Sequence, residues 1–581
     1  IEEKCALRVD ASKANIKSGS VFFDDLAEMY RPGTKVISTG VAGSGLCTGL
    51  TVLWSKYEQG KAMGQMHRVF VVCVECWISV GRHFMPVVFT DKNYGYVKRR
   101  SVSELFFRPL QLQLAGGAGG EQSSAMSVPA ISEDAALFAT LNARGLSYAQ
   151  VAAGQHYLQY TTGCFTPFRL GASAAPPSAS KNGGRIMMDT EWGSLNHCIA
   201  RGQHDECRAQ INSCHSVYKN WVRDSQNDAS RAVEQKLADS SVVKTSSGVL
   251  IYKTIPAGLE FACWPLAAGF SFSVKCWGLV VVGEPALSAI PFNDRAFDQL
   301  VLPANRKRLI KAVVQYSSPS EGAGARESGE GVYSDIIKGK GEGSVFLFYG
   351  PPGVGKTLTA EAIAEMLHKP LFQVSMGDLG TTPAELEKGL KNCLEMSARW
   401  DSLVLLDEAD IFVEKRSASS GIMRNAMVSV MLKMIEYFQG TLFLTTNRVT
   451  TFDPAFQTRI TAALRYEALD AAGRTKVWKN LIEASGLSGD LKAAGQGGDV
   501  DPDALGKYPL NGRVIKNALR LSLALVISEA REAAAAGGAT VAGDGEPQVA
   551  RRPWRLTQEV IVDTIKMCME FNSELAVANP F

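Results

Sequence analysis

Eight consecutive residues of this 581-residue chain, Gly350-Pro351-Pro352-Gly353-Val354-Gly355-Lys356-Thr357, have the types and spacing to wrap a polyphosphate. The glycines let backbone amides turn inward around β- and γ-phosphate oxygens, and Lys356 carries a cation that reaches the same oxygens. The Thr357 hydroxyl can take one position on Mg²⁺. The pattern G-x4-G-K-[ST] has this meaning only between a strand and a helix. Here Val345–Tyr349 is a short apolar run suited to a strand buried on both faces. Leu358 opens a helical pattern to Leu367, whose positive dipole end would face the bound anion.

Further residues would turn nucleotide binding into hydrolysis. Leu403–Leu406 is an apolar strand ending in Asp407 and Glu408. Asp407 can hold Mg²⁺ through water, and Glu408 is placed to orient and deprotonate an attacking water. The next apolar run, Thr441–Thr446, delivers Asn447, whose amide can position that water, although an isolated Asn reads first as a turn former. Asp453-Pro-Ala-Phe-Gln-Thr-Arg459 then supplies a cation too far along to reach its own phosphates easily. Arg459 is expected to act as a finger in a neighbouring subunit's site, with a surface salt bridge as the alternative. Leu510-Asn-Gly-Arg513 starts a helical pattern to about Glu529, from which Arg513 can reach back toward the γ-phosphate.

The elements that must carry these residues alternate strand and helix, the pattern of a parallel α/β sheet. Thr382-Pro-Ala-Glu385 predicts a capped helix start with Pro at its first position. Met427, Val430, Met431, Met434, Ile435 and Phe438 predict the core face of another helix, closed by Gly440.

GPPGVGKT, LVLLDE, TTNR and FDPAFQTRI, in this order, resemble the AAA ATPases of the AAA+ superfamily. Over about residues 330 to 575, the resemblance implies a P-loop NTPase parallel sheet of order 5-1-4-3-2, a C-terminal helical lid, ATP and Mg²⁺ as ligands, and a homo-oligomeric ring, usually hexameric. DIIKGKGEGSVFLFYGPPGVGKTLTAEAIAE and NGRVIKNALR are similar to a group of fungal AAA proteins with a strand-rich domain ahead of the ATPase. Glu28–Gly33, Gly184–Asp189 and Pro291–Leu300 resemble segments of that domain. Two departures qualify what is implied. Only Met-Gly-Asp-Leu-Gly-Thr-Thr separates the strand Leu371–Ser375 from the helix at Pro383, with no aromatic residue for a substrate-threading pore loop. Relatives often carry two finger arginines, and here Arg459 stands alone.

The expected organisation is a mixed, strand-rich region over 1–300 that selects a partner, a helical segment and linker over 301–331, an ATPase core over 332–467, and a helical lid over 468–581 with a low-complexity insertion near 533–550. Strand-like runs at Arg68–Val80, Phe84–Thr90 and Gly278–Gly283 support the first region. Ala115–Ser124, Gly171–Gly184, Ser317–Gly331 and Ala533–Gly545 read as linkers or loop tips, because Gly, Ser and Ala bury too little apolar surface to offset ordering entropy.

The chain is 46% hydrophobic and 20% charged with a net charge of +3, so nucleic acid gains no general attraction. Its basic clusters, Lys98–Arg100, Arg306–Arg308 and Arg551–Arg552, read as solvated surface. Twelve scattered cysteines suit a reducing, intracellular compartment, the cytoplasm or nucleus. No apolar run spans a bilayer, and the chain starts at Ile1, which leaves room for a missing N-terminal segment. No HExxH motif is present for a fused zinc protease. His197, Cys198, His204, Cys207, Cys214 and His215 are zinc-ligand types at spacings unlike a finger, and a polar loop is the expected reading. Cys73 and Cys76 are expected in a strand core. The function expected is protein remodelling driven by ATP hydrolysis; an ATP-controlled scaffold and a nucleic-acid remodeller are the alternatives.

Overall fold

The computed structural model describes residues 2–41, 46–62, 65–94, 98–110, 130–152, 154–168, 183–196, 205–225, 241–244, 249–317, 343–410, 422–448, 454–493, 496–536 and 554–578. They fall into two compact units, Ile1–Pro291 and Phe292–Phe581. The four small-residue stretches lie mainly outside the described residues, although Ala533–Ala536 still belong to a helix.

The N-terminal unit is built on two antiparallel sheets. One has seven strands, and at its centre Gln65–Val80 pairs with both Thr48–Ala62 and His83–Tyr94. The other has six strands, with Gly184–Asp189 between Gln155–Tyr160 and Leu266–Ser271. Alternation along Gln65–Val80 buries Phe70, Val72, Val74 and Cys76 completely. The helix Ala130–Ala152 is tied to this strand by Tyr148, whose hydroxyl accepts from the Ser79 amide at 2.8 Å.

The histidine–cysteine segment is not a polar loop where the structure describes it. Cys207, Cys214 and His215 lie on the helix Asp205–Ser225, and all three are buried. His197, Cys198 and His204 lie outside the described residues. Among the described residues no three metal-binding side chains converge. Single-residue spacing hid the helix, because its apolar face is made partly of these thiols. A hydrogen bond to Cys207 and burial hold the Cys76 thiol well above its ordinary range, as fits a packed core cysteine.

Burial lowers the His215 pKa from 6.5 to about 4, with the Lys219 charge acting in the same direction. The folded state therefore excludes a proton that the unfolded chain accepts below pH 6.5. This contribution to stability is complete above pH 6.5 and is lost as pH falls toward 4, at up to about 1.4 kcal/mol per pH unit. Denaturant unfolding of the full chain between pH 7 and 4.5 should show this slope, and His215→Gln should flatten it. An unchanged slope in the variant would assign the effect elsewhere.

Elements are numbered within the C-terminal unit. α1 (Ala304–Ser317) precedes β1 (Ser344–Tyr349), α2 (Lys356–Met366), β2 (Leu371–Val374), α3 (Pro383–Arg399), β3 (Leu403–Leu406), α4 (Ile422–Glu436), β4 (Thr441–Thr446) and β5 (Ala462–Arg465). The five strands are parallel in the order β5-β1-β4-β3-β2, which is the expected 5-1-4-3-2. Phe346, Phe348 and Phe443 pack with α2, and Phe297, Leu300, Ile310 and Val314 join the same core from the segment before β1. α3 begins as its sequence predicts: Thr382 accepts from the Glu385 amide, with Pro383 in the first turn. The expected face is buried at Met427, Met431, Ile435 and Phe438, and Val428 and Leu432 share that core, whereas Val430 and Met434 are only half-buried. The core face is therefore the expected one, shifted toward Val428 and Leu432 at its edge.

After β5 come α5 (Ala471–Ala484), α6 (Gly512–Ala536) and α7 (Gln558–Ala578). They enclose a separate core of Trp478, Ile482, Ile515, Ala518, Ile561 and Ile565. Among the described residues no helix is long and apolar enough to cross a membrane.

Candidate nucleotide site

All five strands run the same way, so their C-terminal ends open onto one edge, where α/β sheets hold ligands. The phosphate loop leaves β1 there. Gly350 has φ +149°, and a Cβ on it would sit 2.2 Å from the Tyr466 carbonyl oxygen. Gly355 caps α2 at φ +97°, a left-handed conformation that L side chains resist. Between them Pro351, Pro352, Gly353 and Val354 form a turn, and Leu358 follows as an exposed side chain. The free amides at the start of α2 therefore point into the loop.

Lys356 is buried, and its ammonium donates to the Gly350 carbonyl, the Pro351 carbonyl and Asn447 Oδ1, each at 2.8 Å. Burial lowers its pKa; the Asp407 and Asp410 carboxylates oppose that, and the Arg513 charge adds to it. Lys356 and Asn447 are 91 positions apart, so the fold alone brings them together.

Across the sheet, Thr357 Oγ1 donates to Asp407 Oδ1 at 3.1 Å. Thr445 donates to the same oxygen and in turn accepts from the Glu408 amide at 3.1 Å. Glu408 is exposed and has φ +57°, an uncommon backbone for glutamate, held by its own amide and by the Ala409 amide bonded to the Thr445 carbonyl at 2.8 Å. Thr357 and Asp407 offer a hydroxyl and a carboxylate within one bond of each other, the hard oxygen pair that Mg²⁺ prefers.

The lid helix α6 closes on the loop. The Gly512 amide donates to the Gly353 carbonyl at 2.8 Å, while Asn511 Oδ1 caps α6 by accepting from the Val514 amide. Arg513 thus stands within electrostatic reach of Lys356.

Arg459 lies elsewhere. Its guanidinium donates to Glu436 Oε2 at 2.9 Å and to the Ala455 carbonyl at 3.0 Å, both within its own chain. Asp453 lies outside the described residues. The segment after β2 is no extended loop: Met376–Leu379 is a helical turn, capped by Ser375 and followed by Gly380 at φ +95°.

Sequence reading passed over Thr445, Asp410, Asn511 and Glu436. Asp410 was legible in principle, two positions after Glu408. Asn511 is a local cap three positions before Val514, and Thr445 and Glu436 are ordinary residue types whose partners are distant in sequence.

Strand order, phosphate loop and the paired Thr357 and Asp407 define a P-loop nucleoside-triphosphatase domain. Residues 346–467 match the model of the ATPase family associated with various cellular activities, AAA, and the chain carries an AAA ATPase domain. Protein CdcH of Halobacterium salinarum is similar at 29% identity over 154 residues, 25% of this chain and 21% of that protein. ATPase family gene 2 protein homolog B of Rattus norvegicus matches at 32% over 120 residues, 19% of this chain and 16% of its own length. The mitochondrial Lon protease homolog of Homo sapiens matches at 34% over 85 residues, 13% and 9%. The chain thus covers about a fifth or less of these relatives, consistent with a shared ATPase module.

Proposed function

We propose that this chain binds ATP with Mg²⁺, hydrolyses it, and couples turnover to remodelling a protein partner within a homo-oligomeric, hexameric ring. The N-terminal unit selects that partner. The observation that carries the reading is the convergence of Lys356, Asn447, Thr357 and Asp407 at one sheet edge.

The loop amides from Gly350 to Thr357 and the Lys356 ammonium bind the β- and γ-phosphates. Thr357 and Asp407 would hold Mg²⁺, which supplies charge neutralisation as the terminal phosphoryl group leaves. Glu408 takes the proton of the attacking water, and Asn447 orients that water. Arg459 of one subunit offsets charge at its neighbour's phosphates, and Arg513 reports the γ-phosphate to the lid. The Arg459–Glu436 pair does not preclude this. The side chains are 30% and 25% exposed, and a largely buried charge-assisted pair contributes roughly 1 to 3 kcal/mol. A finger at a transition state, at about 10³-fold or more in rate, contributes about 4 kcal/mol or above.

Purified chain is expected to release phosphate from ATP only with Mg²⁺, to be indifferent to DNA and RNA, and to sediment as six copies in ATP. Release no faster than that of Lys356→Ala would overturn the reading. An ATP-dependent assembly without release would favour the scaffold, and stimulation by nucleic acid would change the partner class.

A further inference from the structure

Asp410 is used by none of the steps above, yet it organises the strand tip that carries Asn447. Its Oδ1 accepts from the Asn447 amide at 3.1 Å and from the Thr446 hydroxyl. The Thr446 hydroxyl oxygen accepts in turn from the Arg448 amide at 3.1 Å. One carboxylate oxygen therefore anchors three successive residues, Thr446 to Arg448, at the end of β4.

Side chains alternate along a strand, so Thr445 and Thr446 face opposite sides of the sheet. Thr445 bonds Asp407 on the side of Thr357, whereas Thr446 bonds Asp410 on the other. Asp410 thus bonds different strand-tip groups from Asp407, although the charges of both carboxylates act on Lys356. Its bonds fix the backbone of Asn447, whose side chain turns back to Lys356 at 2.8 Å. The strand tip is gripped from both faces.

We propose that Asp410 is a positioning residue, a buttress that holds Asn447 where its amide meets Lys356 and the attacking water. The inference rests on the hydrolytic role proposed for Asn447. A charged acceptor is suited to it, because hydrogen bonds to a carboxylate are roughly twice as strong as neutral ones. A water-positioning amide misplaced by about 1 Å can cost on the order of 10²-fold in rate.

The test is steady-state ATP hydrolysis with Mg²⁺ by the full chain, with thermal melting to verify folding. Asp410→Ala should lower kcat at least about tenfold, with KM within about twofold, because orientation fails while the phosphate loop is intact. Asp410→Asn keeps an oxygen acceptor at the same place and should stay within about threefold of wild type. In an Asn447→Ala background, Asp410→Ala should have little further effect, since residues acting as a unit are not additive. Hydrogen exchange of the 446–448 amides should quicken in Asp410→Ala and remain slow in Asp410→Asn.

Wild-type kcat in Asp410→Ala would overturn the buttress and leave the ATPase reading standing. So would a full additional loss in the Asn447→Ala background. A wild-type chain without Mg²⁺-dependent turnover would overturn the ATPase reading itself and the buttress with it.

Discussion

Glu408→Gln is expected to stop phosphate release while ATP still binds. The amide has the size of the carboxylate but cannot accept the proton of the attacking water, and loss of such a base costs roughly 10²- to 10⁴-fold. The geometry predicts a clean separation of binding from chemistry. Glu408 is exposed, so the neutral replacement strands no buried partner. Its unusual backbone is held by its own amide on Thr445 and by Ala409, neither of which the substitution touches. Lys356 keeps its bonds to the Gly350 carbonyl and Asn447, and Thr357 keeps its bond to Asp407. Phosphate release and binding of a fluorescent ATP analogue, measured on the same preparation, check the outcome. Hydrolysis at the wild-type rate would mean that another group takes the proton. The variant loaded with ATP should also hold the oligomer and its protein partner long enough for mass spectrometry to identify both.

Arg459→Ala should remove most of the turnover, by about 10³-fold or more if the guanidinium acts as an arginine finger. The substitution also breaks the largely buried pair with Glu436, at a cost of roughly 1 to 3 kcal/mol of stability. Rate and stability thus respond on different scales, which separates a catalytic arginine from a structural one. Mixing experiments decide whether the arginine works across subunits. A ring containing both Arg459→Ala and Glu408→Gln subunits has some sites with an intact base facing an intact finger. Activity should therefore reappear on mixing two inactive variants. Two variants that stay inactive when mixed, in a ring shown to exchange subunits, would end the trans reading. A rate for Arg459→Ala near wild type would return Arg459 to its salt bridge.

Much of the ATPase was readable because its signals are local. Glycines at fixed offsets, a lysine and a hydroxyl after them, and a strand ending in Asp-Glu each report through their immediate neighbours, so residues 350–357, 407 and 408 could be named without coordinates. The capping box at Thr382 is equally local, and the structure contains it. Periodic signals were less exact. The core face of α4 holds Met427, Met431, Ile435 and Phe438 as expected but takes in Val428 and Leu432 in place of Val430 and Met434. The Cys207–His215 segment is helical, with Cys207, Cys214 and His215 on its buried face, rather than a polar loop.

What the sequence determined by itself, then, is the chemistry available at the phosphate loop and the class of fold able to present it. Only the tertiary structure decided which distant residues complete the site. Asn447 meets Lys356 because β4 lies beside β1 in the sheet, although 91 positions separate the two side chains. Thr445 and Asp410 acquire roles because β3 and β4 end together. Arg459 is found on Glu436 because the end of α4 reaches it. Hydrogen bonds act over about 3 Å, and the sequence specifies such distances only after the hydrophobic sheet has fixed which strands are neighbours.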